Sequence, residues 1–120
     1  MGYILIIDDD KWYGQSILNM HESDEVILAN SPEEAIGVID KNIPDMIYLD
    51  FNLGTRNGLT VLNELQSWTD TRAIPVVLLS SEGKRLNSGD WKNYGVVEIL
   101  DKTELTREKL NSVWRRYGKP

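Results

Sequence analysis

Five short apolar runs recur along the chain: Tyr3-Ile4-Leu5-Ile6-Ile7, Val26-Ile27-Leu28, Met46-Ile47-Tyr48-Leu49, Val76-Val77-Leu78-Leu79 and Val96-Val97-Glu98-Ile99-Leu100. They are nearly continuous rather than alternating, which predicts strands covered on both faces, as in parallel sheets. The intervening segments carry helical spacing. Tyr13, Ile17 and Met20 share a face after the first run, as do Ala35, Val38 and Ile39 after the second. Val61, Leu62 and Leu65 follow Asn57, and Leu110, Val113, Trp114 and Tyr117 fall at i, i+3, i+4 and i+7 near the end. Each stripe predicts core packing. Ser31-Pro32-Glu33-Glu34 is a helix start, with Ser31 as cap, Pro32 at the first helical position and Glu34 completing a capping box. The stretch from Glu82 to Tyr94, with Gly83, Gly89 and few apolar residues, predicts a short or frayed fourth helix. Strands alternating with helices give an α/β fold with a parallel sheet. Right-handed crossovers then place helices on both faces. The expected architecture is a five-stranded, doubly wound parallel sheet.

With 120 residues, the chain is expected to form one domain spanning 1–120. Hydrophobic residues make up 41%, enough for a core and too many for a disordered chain. The absence of cysteine excludes disulfides, thiolate zinc sites and thiol catalysis, and His21 alone cannot build a metal cluster. No apolar run approaches the length of a membrane span, and Met1 to Ile7 is too short for a signal sequence, so a cytoplasmic location and no membrane partner are expected. A net charge of −6 without any basic stripe disfavours nucleic acid.

Unusual polar residues gather at the carboxyl ends of the predicted strands: Asp8-Asp9-Asp10, Asp50, Ser80-Ser81 and Asp101-Lys102. Open α/β sheets bind ligands there, where strand order reverses. If the first and third strands are neighbours, roughly 5 Å apart, Asp8, Asp9 and Asp50 crowd together and repel one another. A divalent cation removes that conflict. Magnesium fits best, since it takes oxygen ligands, keeps several waters and needs only one or two carboxylates. Each residue also has a plainer reading: Asp10 caps the next helix, Ser80 satisfies loop backbone and Lys102 is solvated. Taken together, acids, a hydroxyl and an ammonium at one sheet edge describe a phosphoryl site. Asp50 is the candidate carboxylate nucleophile, Lys102 and the cation neutralise phosphoryl oxygens, and Ser80 donates a hydrogen bond.

With these residues in this order, the chain resembles the receiver domain of bacterial two-component response regulators over nearly its whole length. The residues that carry the resemblance are the acidic pair Asp8-Asp9, the acceptor Asp50, Ser80 after the fourth strand and Lys102 after the fifth. The run Asp50-Phe51-Asn52-Leu53-Gly54, with Gly58 eight residues after Asp50, matches the family loop. The resemblance implies a flavodoxin-like strand order, 2-1-3-4-5. It implies that Asp9, Asp50 and the backbone carbonyl of Asn52 ligate Mg2+, with Asp8 acting through metal-bound water. Asp50 would take phosphate from a sensor histidine kinase, a histidine phosphotransfer protein or a small donor. The signal would pass to a downstream protein or a fused output domain, or through a homodimer formed by the fourth helix, fifth strand and fifth helix. Such a domain is not an enzyme beyond its own phosphorylation and dephosphorylation. Asn52 and Glu82 stand where the family tunes acyl phosphate lifetime, and a short-lived phosphoryl state is expected.

Three positions depart from the pattern. Ile99 replaces the usual Tyr or Phe three residues before the lysine, Ser81 follows the hydroxyl in place of Ala or Gly, and Thr103 replaces the proline after the lysine. Thr103 is expected to cap the last helix. Trp91 and Tyr94 mark either a partner surface or core packing. Phosphate on Asp50 is expected to draw Ser80 inward and reorganise the segment Glu82 to Tyr94. Two other functions remain open: a phosphorylation-independent interaction module, and a flavodoxin-like cofactor binder or phosphohydrolase. The chain has no G-x-G-x-x-G turn and no P-loop, which argues against dinucleotides and nucleoside triphosphates.

Overall fold

The computed structural model describes residues 3–21, 25–53, 56–81 and 89–118. In chain order the elements are β1 (Ile4–Ile7), α1 (Lys11–Met20), β2 (Val26–Ala29), α2 (Pro32–Lys41), β3 (Met46–Asp50), the small antiparallel pair β4 (Asn52–Leu53) and β5 (Arg56–Asn57), α3 (Gly58–Gln66), α4 (Thr69–Arg72), β6 (Val76–Ser80) and β7 (Val96–Asp101), then α5 (Arg107–Tyr117). Short 3-10 segments at Gly89–Tyr94 and Lys102–Glu104 flank β7. The main sheet is parallel throughout, in the order β2-β1-β3-β6-β7. Counting its strands alone, that is the expected 2-1-3-4-5.

Every residue of β1, β3 and β6 is buried, whereas the edge strands β2 and β7 are mixed. The alternation of side chains along a strand divides the core into two layers. Leu5, Ile7, Ile47, Leu49, Val76 and Leu78 pack against Ala35 and Ile39 of α2 and Val61, Leu62 and Leu65 of α3. Ile4, Ile6, Met46, Tyr48, Val77 and Leu79 pack against Ile17 of α1 and Leu110 and Val113 of α5. The register between β6 and β7 slips by one residue: Val76 faces Val96, but Val77 faces Glu98. The bulge leaves Val97 exposed and turns Ile99 into the α2–α3 layer, with Phe51, Trp91 and Tyr94. Trp91 and Tyr94 are therefore core-packing residues: the Trp91 ring lies edge-on to Phe51 with centroids 5.3 Å apart.

The caps follow the sequence in part. Asp10 accepts the N–H groups of Trp12 and Tyr13, and the Ser31 hydroxyl accepts from Glu34 N. The Glu34 carboxylate reaches back one residue further than a capping box requires, to Asn30 N. The expectation for Thr103 is wrong: Thr106 caps α5, accepting from Lys109 N at 3.1 Å. Thr103 instead lies in the 3-10 turn, where Asp101 accepts both its N–H and its hydroxyl. Gly89–Tyr94 forms a 3-10 segment rather than a helix of the α type, and the rest of the predicted fourth helix, residues 82–88, lies outside the described residues.

Inside the α1–α5 layer, the Tyr48 hydroxyl donates to Leu110 O at 3.2 Å and sits 2.8 Å from His21 Nε2. Tyr48→Phe removes both contacts and is expected to cost about 1–3 kcal/mol in denaturant unfolding, because buried partners are left unsatisfied. Burial raises the Tyr48 hydroxyl above its ordinary value of 10.0. The folded chain then holds that proton more tightly than the unfolded chain does. Stability should fall as pH rises past 10, more shallowly in Tyr48→Phe. An alkaline slope identical in both proteins would contradict this.

Candidate functional site

Parallel pairing sets strand ends side by side. Ile7 is in register with Leu49, so the residues that follow, Asp8 and Asp50, meet at one rim. On the other side Asp50 is in register with Leu79, and Ser80 with Asp101. The rim thus gathers Asp8, Asp9, Asp50, Ser80 and Lys102, as the sequence leads one to expect.

Asp8, Asp9 and Asp50 each offer a carboxylate oxygen, all within 4.8 Å of one another. Asp8 and Asp50 are buried and Asp9 is exposed. Asp8 is oriented by Asp10 N, which donates to its Oδ1 at 2.9 Å. Lys102 Nζ enters from the 3-10 turn after β7, 3.3 Å from Asp8 Oδ2 and 3.4 Å from Asp50 Oδ2. Its ammonium lies 4.3 Å from the centre of the Tyr13 ring, and the Tyr13 hydroxyl donates to Lys102 O at 3.0 Å. One tyrosine of α1 therefore holds both ends of this lysine. Burial, and then the charges of Asp8, Asp50 and Asp101, push the Tyr13 hydroxyl well above its usual value, so it stays a neutral donor.

Among the described residues, three carboxylates face one ammonium here. The donors are hard oxygens, the excess charge among them is negative, and the cleft lined by Asp9, Asp50 and Lys102 is open, ≈ 390 Å³ in volume. That donor set suits a hard divalent cation such as Mg2+ and suits neither zinc nor copper. Asn52 follows the site in β4, but its side chain and all of Glu82 lie outside the described residues. Ser80 is buried at the end of β6, whereas the exposed Ser81 lines the cleft with Asp10, Tyr13 and Thr103. Sequence reasoning absorbed Tyr13 into the α1 core stripe. Its place in the first turn after the acidic pair was the signal that it reaches the rim.

Gly58 closes the loop beyond Asp50. Its N–H donates to Phe51 O. A Cβ at that position would sit 3.2 Å from Phe51 Cα and 3.3 Å from Asp50 O. A side chain there would press on the backbone that carries Asp50.

Residues 4–114 match the model of the response regulator receiver domain. The transcriptional regulatory protein CpxR of Klebsiella pneumoniae is 29% identical over 122 residues, covering 97% of this chain and 50% of its own. A protein-glutamate methylesterase/protein-glutamine glutaminase of Oleidesulfovibrio alaskensis is 30% identical over 113 residues, covering 89% of this chain and 31% of its own. The chain thus spans half or less of these relatives. Among solved structures, a two-component response regulator from Clostridium difficile superposes with a TM-score of 0.79 at 27% identity, over 98% of this chain and 95% of that one. The chemotaxis response regulator CheY4 of Vibrio cholerae gives 0.83 at 22% identity, over 98% of both, a likeness of fold. No helix among the described residues is long and apolar enough to cross a membrane.

Proposed function

The chain belongs to the response regulator receiver domain family, and on that premise we propose that Asp50 is its phosphoryl acceptor, working with Mg2+ at the rim. The observation that carries this reading is the convergence of Asp8, Asp9 and Asp50 within 4.8 Å, with one ammonium, Lys102, between the two buried members. A carboxylate oxygen of Asp50 attacks the phosphorus of a phosphohistidine or small acyl phosphate. A new P–O bond forms as the bond to the donor breaks, and the donor leaves with the electron pair. Lys102 is drawn from carboxylate to phosphoryl oxygen, and the Ser80 hydroxyl donates to another. Asp9, Asp50 and the Asn52 carbonyl would hold Mg2+, with Asp8 behind them. When bound, that ion neutralises charge on the attacking and transferred groups. The donor is a sensor histidine kinase or a phosphotransfer protein in the cytoplasm, and the receiver acts on a protein target or an attached output domain. It catalyses nothing beyond its own phosphorylation and hydrolysis.

Incubation with acetyl phosphate and magnesium, followed by mass spectrometry, tests the reading. One phosphoryl group, labile to hydroxylamine and mapped to the Asp50 peptide, is expected. No phosphoryl uptake from any donor would overturn it in favour of a phosphorylation-independent module. That second reading draws on Ile99, a half-buried aliphatic residue packed into the α2–α3 layer where the family carries a mobile aromatic.

Magnesium should also stabilise the fold. At about 100 times its dissociation constant the gain is about 2.7 kcal/mol. Asp9→Asn, at an exposed position, should leave the apo fold unchanged and remove most of that gain in thermal scans. A full magnesium response in Asp9→Asn would exclude Asp9 as a ligand.

A further inference from the structure

The face of the molecule built by α2, α3 and α4 carries a second feature that the phosphoryl site does not use. A cavity of ≈ 190 Å³ lies between the helices, lined by Ile36, Ile39, Ile43, Leu65 and Trp68. It continues through the shared residues Ile36 and Glu64 into a neighbouring depression beside Pro32 and Val61. Trp68 is 63% exposed and Ile43 41%, two of the few large apolar side chains left open to water among the described residues. The Trp68 indole N–H donates to Glu64 Oε2 at 3.4 Å, and both side chains line the cavity. The charged side chains that line it are acidic: Asp40, Glu64 and Asp70 line the depressions, and among the described residues no lysine or arginine does.

We propose that this groove docks a basic amphipathic segment of a partner protein, one that seats a large apolar side chain against Trp68 and sets lysines or arginines over the acidic rim. The chemistry favours this occupant over others. A dry cavity of about 150 Å³ accommodates a benzene ring, so this one has room for a single aromatic or aliphatic anchor. An amphipathic helix laid in a groove presents such anchors on one face and charges on its flanks. A second copy of this chain is disfavoured, because it brings a net charge of −6 to an acidic rim. The exposed indole has the character of a binding hot spot, large and amphipathic.

Two synthetic peptides with identical leucine and phenylalanine spacing, one carrying lysines and the other glutamates, provide the test. Each is titrated into the 15N-labelled full chain and followed by NMR. The lysine peptide should shift the Trp68 indole resonance and the amides of Ile36 and Ile43, and its affinity should fall at least tenfold between low and physiological salt. The glutamate peptide should shift none of them. Trp68→Ala should weaken binding at least tenfold. The double variant Asp40→Lys, Glu64→Lys, altered only at exposed positions, should do the same even if Trp68→Ala fails to fold. Equal binding of both peptides, or unchanged affinity in the double variant, would overturn the proposal. So would shifts confined to Asp8, Asp9 and Asp50, which would assign the lysine peptide to the phosphoryl site. None of these outcomes depends on Asp50 accepting phosphate.

Discussion

Asp50→Asn is expected to abolish acyl phosphorylation and, with magnesium chelated, to raise the unfolding free energy by about 1 kcal/mol. The chemical half of this follows from the nucleophile: a carboxamide has no anionic oxygen to attack phosphorus. The stability half follows from geometry. Asp50 sits within 4.8 Å of two other carboxylates and 3.4 Å from one ammonium. Its ionised form lies beside two carboxylates and one ammonium among the described residues. At the effective dielectric of such sites each of these contacts is worth a few kcal/mol before solvent screens it, so removing the charge is expected to relieve about 1 kcal/mol of crowding between the carboxylates. The amide keeps an oxygen for Lys102 and loses the charge. Denaturant unfolding in chelator, beside mass spectrometry with acetyl phosphate, reads both halves. Full phosphoryl uptake by the variant would remove Asp50 from its role. A loss of stability would show that the Lys102 pair outweighs the crowding.

Lys102→Met should have the opposite effect on the apo protein, costing about 3 kcal/mol. The ammonium lies between Asp8 and Asp50, at 3.3 and 3.4 Å, and both carboxylates are buried. Methionine preserves much of the aliphatic stem against Tyr13 and leaves two buried anions facing each other. Magnesium should then rescue more stability than it adds to the parent chain, because it replaces a missing charge. Equal magnesium gains in the two proteins would mean that Lys102 and the ion do not act on the same carboxylates.

Those expectations could be drawn up because the rim was legible before the fold was seen. Strands buried on both faces need unbroken apolar runs, so β1, β3 and β6 announce themselves, and the polar residues that interrupt the runs, Asp8, Asp50 and Ser80, mark their carboxyl ends. The less legible parts were decided by tertiary contacts. Thr103 and Thr106 are both chemically competent caps three residues apart. Asp101 takes the N–H of Thr103 and holds it in a 3-10 turn, so α5 starts after Thr106. The four residues of α4, Thr69–Arg72, carry no apolar period at all; the Thr71 hydroxyl, donating to Leu65 O, ties that turn to α3. The slip at Val97 cannot be seen in a run of Val-Val-Glu, yet it decides which layer receives Ile99.

The contact of Gly58 with Phe51 has a consequence for how this site could be rebuilt. The segment leaving the acceptor is cinched at its root, where the amide of residue 58 meets the carbonyl of residue 51. A loop whose ends are already held together tolerates changes of length at small entropic cost. Loops of other length or chemistry could therefore be grafted beyond Asn52 and before Gly58, to recruit new donors or to alter the lifetime of the acyl phosphate, while the nucleophile keeps its place. Such an exchange must leave untouched the glycine and Asn52, whose carbonyl is proposed to hold the ion.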